Sequence, residues 1–475
     1  MTVLHVPMLS AALLFCCLVA TAAAASSAGE RERVRNGDFS LGEDGKCPRH
    51  WTPWSPVWKP AACRIRKVPD GLLVDGPERP YAVGGVVQAV KSFAAKRAYA
   101  VDVTCRPTGI PSARQSILVR LTWTKAGRVL HPAGRLVREK GVRNLFSKTE
   151  GEKKVPGAVS QGDLRFHDVF VVPRGADGAR LSLEVKWPHG GSVLWRKASI
   201  RPTSTPTPRT ARIGSVFLRP KNSTPAENLR LWCKKIDEAG TLQLDAVCLG
   251  EAIRVVGTGK TVADVAEPIP GPATRSLCAA AKRNRLWVVA GLTEREGETA
   301  YNTAVLIDRS GKLAGTYRKV HLPREEWKKG VTPGGAYPVF ETDFGTVAVM
   351  ICYDWFFPEA ASIFALNGAE VLFAPTWGNT LPDAAGRAEG ETVFRVRARD
   401  NGLFLVPSVY DGSSMVIDPL GRILATSKGA NEGVFWAEID LSKRDRLWWV
   451  GDWRAIGPRH RMPGTYGKLT ERPRP

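Results

Sequence analysis

The chain has 475 residues, 43% hydrophobic and 24% charged, with a formal net charge of +22 and a pI near 9.8. This length and balance suit about two globular domains with sizeable cores and exclude a disordered or collagen-like chain. The basic excess is spread along the sequence, and no helix-turn-helix, zinc-finger or RNA-binding motif accompanies it. A nucleic-acid function is therefore set aside; an anionic cell-surface polysaccharide suits the charge better as a partner, and simple compositional bias accounts for it better than either.

Met1 to Ala25 contains no Asp, Glu, Lys or Arg, and its apolar stretch "PMLSAALLFCCLVA" leads into "TAAAASS". Residues 1–25 are expected to be a signal peptide, which implies a secreted or periplasmic protein. A membrane anchor is the alternative, although the apolar run is short for a span of about 20 residues. Seven of the nine cysteines follow Cys17, an odd number, so an oxidised monomer leaves at least one thiol unpaired, and Cys352 is the expected one. Cys47 and Cys63 are candidates for a bridge, with an all-reduced chain as the alternative.

Residues 33–202 carry alternating segments such as "YAVDVTC", "ILVRLTW" and "ARLSLEVKW", each bounded by Gly, Pro or Asp. Period-two alternation puts apolar side chains on one face of a strand, and several such segments without helical ones predict an all-β sandwich. Together with "VRNGDFSLG", "GGVVQAVKSFAAKRAYAVDVTCRP" and "GSVLWRKASIRP", they resemble the jelly-roll carbohydrate-binding modules of the galactose-binding-like superfamily. The resemblance implies glycan as a partner, with Trp51, Trp54 and Trp58 as stacking candidates. Packing within the domain is the plainer role for all three.

The stretch "RPTSTPTPRT" is poor in apolar surface and stiffened by proline, so a linker is expected over 203–210. The pattern then changes to strands alternating with helices: "ARIGSVFL", "ENLRLWCKKIDEAG", "LDAVCLGE", "ATRSLCAAAKRN", "LWVVAGLTE". This predicts an α/β layered domain over 211–442, followed by a C-terminal extension over 443–475.

Within it, three ionisable residues stand where strands give out. Glu251 follows "LDAVCLG", Lys319 lies in "YRKVHLP", and Cys352 follows "VAVMI". With "GTVAVMICYDWFFPEAA", "NGAEVLFAPTWGN", "FRVRARDNGLFLVPSV" and "GSSMVIDPLGRILATS", this ordered set resembles the nitrilase, or carbon-nitrogen hydrolase, superfamily. The resemblance implies a four-layer α-β-β-α domain and a Glu-Lys-Cys triad. It also implies a homo-oligomer. One departure is Gly250, where the superfamily's usual element has proline before the glutamate.

The chemistry asks for the same residue types. A thiol becomes a nucleophile when a base takes its proton, and the resulting tetrahedral oxyanion calls for a cation and backbone donors. Glu251 is the expected acid/base and Lys319 the expected cation, with the Tyr353 N–H as a further oxyanion donor. The resemblance also implies a second, substrate-positioning glutamate between the lysine and the cysteine, for which Glu326 is the best match and Glu325 its rival. His321 is expected to support the loop after the lysine.

No His/Cys cluster with metal spacing and no phosphate-cradling glycine loop occurs, so neither metal nor cofactor is expected. "CYDWFFPE" resembles the amidase and carbamoylase branches more than the nitrile-cleaving one. The expected activity is hydrolysis of a non-peptide carbon–nitrogen bond in a small amide or N-carbamoyl compound. The alternatives are nitrile hydrolysis or acyl transfer by the same triad, and a non-catalytic carbohydrate-binding surface protein.

Overall fold

The structure is a computed structural model, and it describes residues 31–77, 79, 81–131, 134–137, 162–378, 389–443, 446–447 and 450–471. The expected signal peptide lies outside the described residues. The chain divides into two compact units, with the main division in sequence between Thr207 and Pro208.

The first unit contains two antiparallel sheets. One orders its strands Thr52–Trp54, Val83–Lys91, Gly178–Lys186, Ile117–Lys125 and Arg128–Val129, with Arg135–Leu136 also pairing to Ile117–Lys125. The other runs Arg64–Val68, Gly71–Asp75, Ser192–Thr203, Ala98–Thr108, Leu164–Val171. The three alternating segments singled out above lie inside Ala98–Thr108, Ile117–Lys125 and Gly178–Lys186. Their apolar positions meet in one core, where Val86, Leu121 and Leu181 from the first sheet join Leu72, Val101 and Trp195 from the second.

Trp51 is part of this core, its indole N–H donating to the Asn36 carbonyl at 3.0 Å and its ring 5.3 Å from that of Phe39. It is therefore not available for stacking, whereas Trp58 is 72% exposed. The Cys47–Cys63 bridge is not formed. Cys47 donates to the Trp51 carbonyl, and Cys63 packs against the backbone of Gly84, so each thiol is committed to its own surroundings.

The expected linker is shorter than its composition suggests. Pro202 and Thr203 continue the strand Ser192–Thr203 in register with Tyr99 and Ala98, because the extended dihedral that proline imposes fits the end of a strand as well as a linker. Only residues 204–209 lie between strands.

In the second unit, elements are numbered from its start: β1 (Thr210–Phe217), α1 (Pro225–Thr241), β2 (Ala246–Cys248), α2 (Pro272–Asn284), β3 (Trp287–Glu296), β4 (Thr299–Ile307), β5 (Leu313–Arg318), β6 (Phe340–Glu341), β7 (Thr346–Val349), α3 (Pro358–Leu366), β8 (Val371–Gly378), α4 (Glu389–Asn401), β9 (Phe404–Asp411), β10 (Met415–Ile417), β11 (Ile423–Thr426), β12 (Gly433–Asp440) and α5 (Trp453–His460). Two six-stranded sheets result, ordered β5-β4-β3-β2-β1-β12 and β6-β7-β8-β9-β10-β11. Pairing is parallel at the centre of each, between β1, β2 and β3 and between β7, β8 and β9. Buried parallel strands explain the near-continuous apolar runs in the sequence.

The sheets pack face to face through residues such as Ile213, Val289, Val349 and Phe373. Buried serines stitch them together, Ser215 donating to the Pro407 carbonyl and Ser408 to that of Val216, each at 2.6 Å. Helix α1 starts at a Thr224–Glu227 capping box and lays Trp232, Ile236 and Ala239 against the first sheet, beside Leu277 and Ala281 of α2. Helices α3 and α4 bring Phe364, Phe394 and Ala398 to the second. Helix α5, in the C-terminal extension, is tied to α4 by the Trp453 indole N–H donating to the Asp400 carbonyl at 2.6 Å.

The first unit is closed at its start by Glu32, whose carboxylate accepts from Ser199 Oγ at 2.5 Å and from the N–H groups of Ile200 and Val34 at 2.7 and 2.9 Å. Burial opposes ionisation there, but these bonds and Arg201 outweigh it and hold the carboxyl below its ordinary value of 4.5. A depressed carboxyl stabilises the fold above its ordinary value and ceases to do so as pH falls through the lowered one. Glu32→Gln is therefore expected to cost about 1 kcal/mol at neutral pH. Denaturant titrations of the full chain should show this deficit at pH 7 and its shrinkage below pH 4.5. A deficit independent of pH would contradict the assignment.

Candidate active site

Glu251, Lys319 and Cys352 all follow strand ends. Glu251 comes three residues after β2, Lys319 directly after β5, and Cys352 three residues after β7. Parallel strands end with carbonyls and loops that leave side chains accessible, so this edge of an α/β layer is where chemistry is ordinarily carried. Cys352 opens a short helical turn, Cys352–Phe356, with φ of 41°, a left-handed conformation uncommon for a residue with a side chain.

Lys319 is 1% exposed, and its Nζ lies 2.9 Å from Oε1 of Glu251 and 2.9 Å from Oε1 of Glu326. Of the two rival glutamates, Glu326 turns inward and Glu325 is exposed. Asn302 lies between the carboxylates, its Nδ2 donating to both at 2.8 Å. The second oxygen of Glu251 accepts from the backbone N–H of Trp377 at 2.7 Å. Lys319, Glu251, Glu326 and Asn302 thus form one hydrogen-bonded unit, and the charge of Glu251 acts on the Cys352 thiol beside it.

The backbone beneath Glu251 is equally fixed. Leu249 and Ile253 donate to the carbonyls of Val289 and Gly291 in β3, and Gly291 donates to that of Gly250. Gly291 must lack a side chain, since a Cβ there would stand 2.7 Å from Cα of Glu251.

A second network joins the lysine side to the cysteine side. Asp354 is fully buried and accepts from the Tyr317 hydroxyl at 2.8 Å, the Ile351 N–H at 2.9 Å and the His321 N–H at 3.0 Å. Nδ1 of His321 is 2.8 Å from the same carboxylate, and its ring stacks on Phe357. His321 thus does support the loop after the lysine, with Asp354 as the anchor. Tyr353 lies in the turn with its ring against Phe356 and Phe357.

The charges are strongly coupled. Burial opposes the Lys319 ammonium, but Glu251, Cys352 and Glu326 outweigh it and raise its pKa, so it is a fixed cation. Burial and Glu251 push the Cys352 thiol up to about 12, more than Lys319 pulls it down. The thiol is protonated at rest, because burial and the neighbouring carboxylate both disfavour the thiolate. Burial, and then Glu251, raise Glu326 above the ordinary carboxylate value.

Asn302 and Asp354 were not singled out as site residues by the sequence. Asn302 had a signal, a lone amide beside the apolar run "TAVLI" of β4. Asp354 stood out only as a branch marker, since nothing in a linear motif says which loops its oxygens join. No group of three metal-ligating side chains occurs among the described residues.

Because the raised carboxyl of Glu326 takes up a proton early as pH falls, the acid limb of kcat/KM is expected above pH 4.5. Glu326→Gln should move that limb to lower pH. A pH–rate profile measures both, and an unmoved limb would show that another group sets it.

The carbon-nitrogen hydrolase family model matches residues 212–447. The chain is 33% identical over 244 residues to a nitrilase of Pyrococcus abyssi, covering 48% of this chain and 90% of the relative. It is 31% identical over 241 residues to the omega-amidase NIT2 of Homo sapiens, covering 47% and 86%. Among solved structures, Nit3 of Saccharomyces cerevisiae, described as a member of branch 10 of the nitrilase superfamily, aligns with a TM-score of 0.44 and 25% identity, over 49% of this chain and 90% of that one. The chain therefore belongs to the carbon-nitrogen hydrolase family, the nitrilase superfamily.

Proposed function

We propose that the protein hydrolyses a non-peptide carbon–nitrogen bond in a small amide or N-carbamoyl compound, through Glu251, Lys319 and Cys352 and a thioester acyl-enzyme. The observation that carries this reading is the buried Lys319 ammonium, held 2.9 Å from the Glu251 carboxylate, whose charge also acts on the Cys352 thiol. Family membership and a relative named as an omega-amidase support it.

In this mechanism Glu251 takes the thiol proton as Sγ attacks the carbonyl carbon, so the thiolate forms only as it is consumed. Lys319 and the Tyr353 N–H stabilise the tetrahedral oxyanion. Its collapse breaks the carbon–nitrogen bond, and the proton on Glu251 goes to the departing ammonia or amine. Glu251 then takes a proton from water as that water attacks the thioester, and the acid leaves with Cys352 restored to the thiol. A carbamoyl substrate would end as ammonia or amine and carbon dioxide.

Turnover of a panel of small aliphatic amides and N-carbamoyl amino compounds tests the substrate class. Cys352→Ala should abolish turnover, and Glu251→Gln should do so with the thiol still present. Lys319→Ala should slow the reaction at least about a hundredfold. Intact-mass spectra with a slow substrate should show an acyl adduct on the unaltered protein and none on Cys352→Ala. Hydrolysis by folded Cys352→Ala would refute the mechanism.

For the first unit, the same proposal carries a galactose-binding-like jelly roll that holds glycan. The exposure of Trp58, beside a fully exposed Val57, supports it, since an indole in water offers a face on which a sugar ring can stack. Affinity for acidic and neutral polysaccharides should then fall at least about tenfold in Trp58→Ala. Unchanged binding, or none to begin with, would leave this unit without a glycan role.

A further inference from the structure

Tyr410, the penultimate residue of β9, belongs to neither the quoted motifs nor the triad, yet it reaches the main chain of Glu251. Its hydroxyl donates to the main-chain carbonyl of Glu251 at 2.6 Å, wholly inside the protein. Burial, and then Glu251 and Cys248, raise its pKa well above the ordinary phenol value, so it is always a donor. Its ring meets the Trp377 ring edge-on at 5.4 Å, and Trp377 is the residue whose N–H holds the Glu251 carboxylate. On its other side lies Trp232 of α1, at 6.0 Å. One side chain thus touches the main chain of Glu251 and the residue that orients its carboxylate.

The space for that side chain comes from Gly250. A Cβ at this position would stand 2.3 Å from the Tyr410 hydroxyl oxygen, 2.5 Å from Cζ and 2.7 Å from Cε1. These distances are far inside contact, so a side chain at 250 and the ring in its present place exclude one another. The absence of a side chain at 250 and the presence of the phenol at 410 are therefore one arrangement.

We propose that Tyr410 is a positioning residue for Glu251 and that Gly250 is the partner that admits it. The proposal rests on the reading of Glu251 as the acid/base. Its physical content is that Glu251 comes three residues after a short strand and is succeeded by Ala252 at φ of 44°, so the carboxylate's place depends on how the main chain at 251 is held. Tyr410 holds it from the opposite sheet, in which β9 lies beside β8. The hydroxyl neither meets the substrate nor moves a proton. It acts through the carboxylate.

The test uses the full chain with Tyr410→Phe, Gly250→Ala and the double variant Gly250→Ala with Tyr410→Leu, each read beside Glu251→Gln. With the fastest panel substrate, Tyr410→Phe should lower kcat about tenfold with KM changed less than about twofold. Gly250→Ala should lower kcat further, and adding Tyr410→Leu should cost no more, because the clash is then relieved. Melting temperatures separate this from a structural role, in which Tyr410→Phe would melt earlier with kcat retained per folded molecule, and that result would overturn the proposal.

A second measurement needs no substrate. The rate at which iodoacetamide alkylates Cys352 depends on the carboxylate beside it, so Tyr410→Phe should shift that rate at least about threefold in the same direction as Glu251→Gln. A Tyr410→Phe rate equal to that of the unaltered protein, with Glu251→Gln shifted, overturns this inference alone. Turnover retained by Glu251→Gln, or its alkylation rate unshifted, counts instead against the acid/base reading and removes the ground of both.

Discussion

An ammonium with almost no contact with water is the constraint on which the second unit is arranged. Taking Lys319 out of solvent costs several kcal/mol unless oppositely charged groups surround it, and one carboxylate would satisfy only part of its three donors. Glu251 and Glu326 both approach to 2.9 Å, which leaves more negative than positive charge in a closed space. The asymmetry sets the rest of the electrostatics. Glu326 is raised, Lys319 is locked as a cation, and the thiol beside Glu251 stays protonated. Asn302 reduces the repulsion by giving a hydrogen bond to each carboxylate.

Such a cluster keeps its geometry only if the three strand ends that supply it cannot drift apart. Sheet pairing fixes β2 and β5 within one layer, and packing fixes β7 in the facing layer. Between layers the polar ties are few and buried. Asp354 joins the turn after β7 to the segment after β5, and Tyr410 joins β9 to the loop after β2. Both are satisfied hydrogen-bonded groups in a dry interior, where a half-satisfied one would cost about 1–3 kcal/mol.

The sequence made the second unit legible because its strands are apolar on both faces and its helices begin with recognisable signals, such as the capping box at Thr224. Glu251, Lys319 and Cys352 were legible because each stands where a strand gives out. The distinction between Glu325 and Glu326 was not, since adjacent residues in a short helical turn differ only in direction, and direction is decided by the lysine they face. Nor was the thiol's protonation, which depends on Glu251 lying closer in effect than Lys319. In the first unit the alternation marked the strands, but three nearby tryptophans could not be sorted by spacing. Trp51 enters the core and Trp58 does not, because Phe39 and the Asn36 carbonyl receive only the former.

The protonated thiol has a consequence for the protein's durability. Peroxide attacks thiolates, and a thiol pushed well above its ordinary value presents few of them at neutral pH. A cysteine activated in advance by its lysine would be oxidised to sulfenic acid whenever no substrate was present. Here burial and then the neighbouring Glu251 carboxylate keep the sulfur protonated, so the group placed to take its proton also helps to shield it from oxidants.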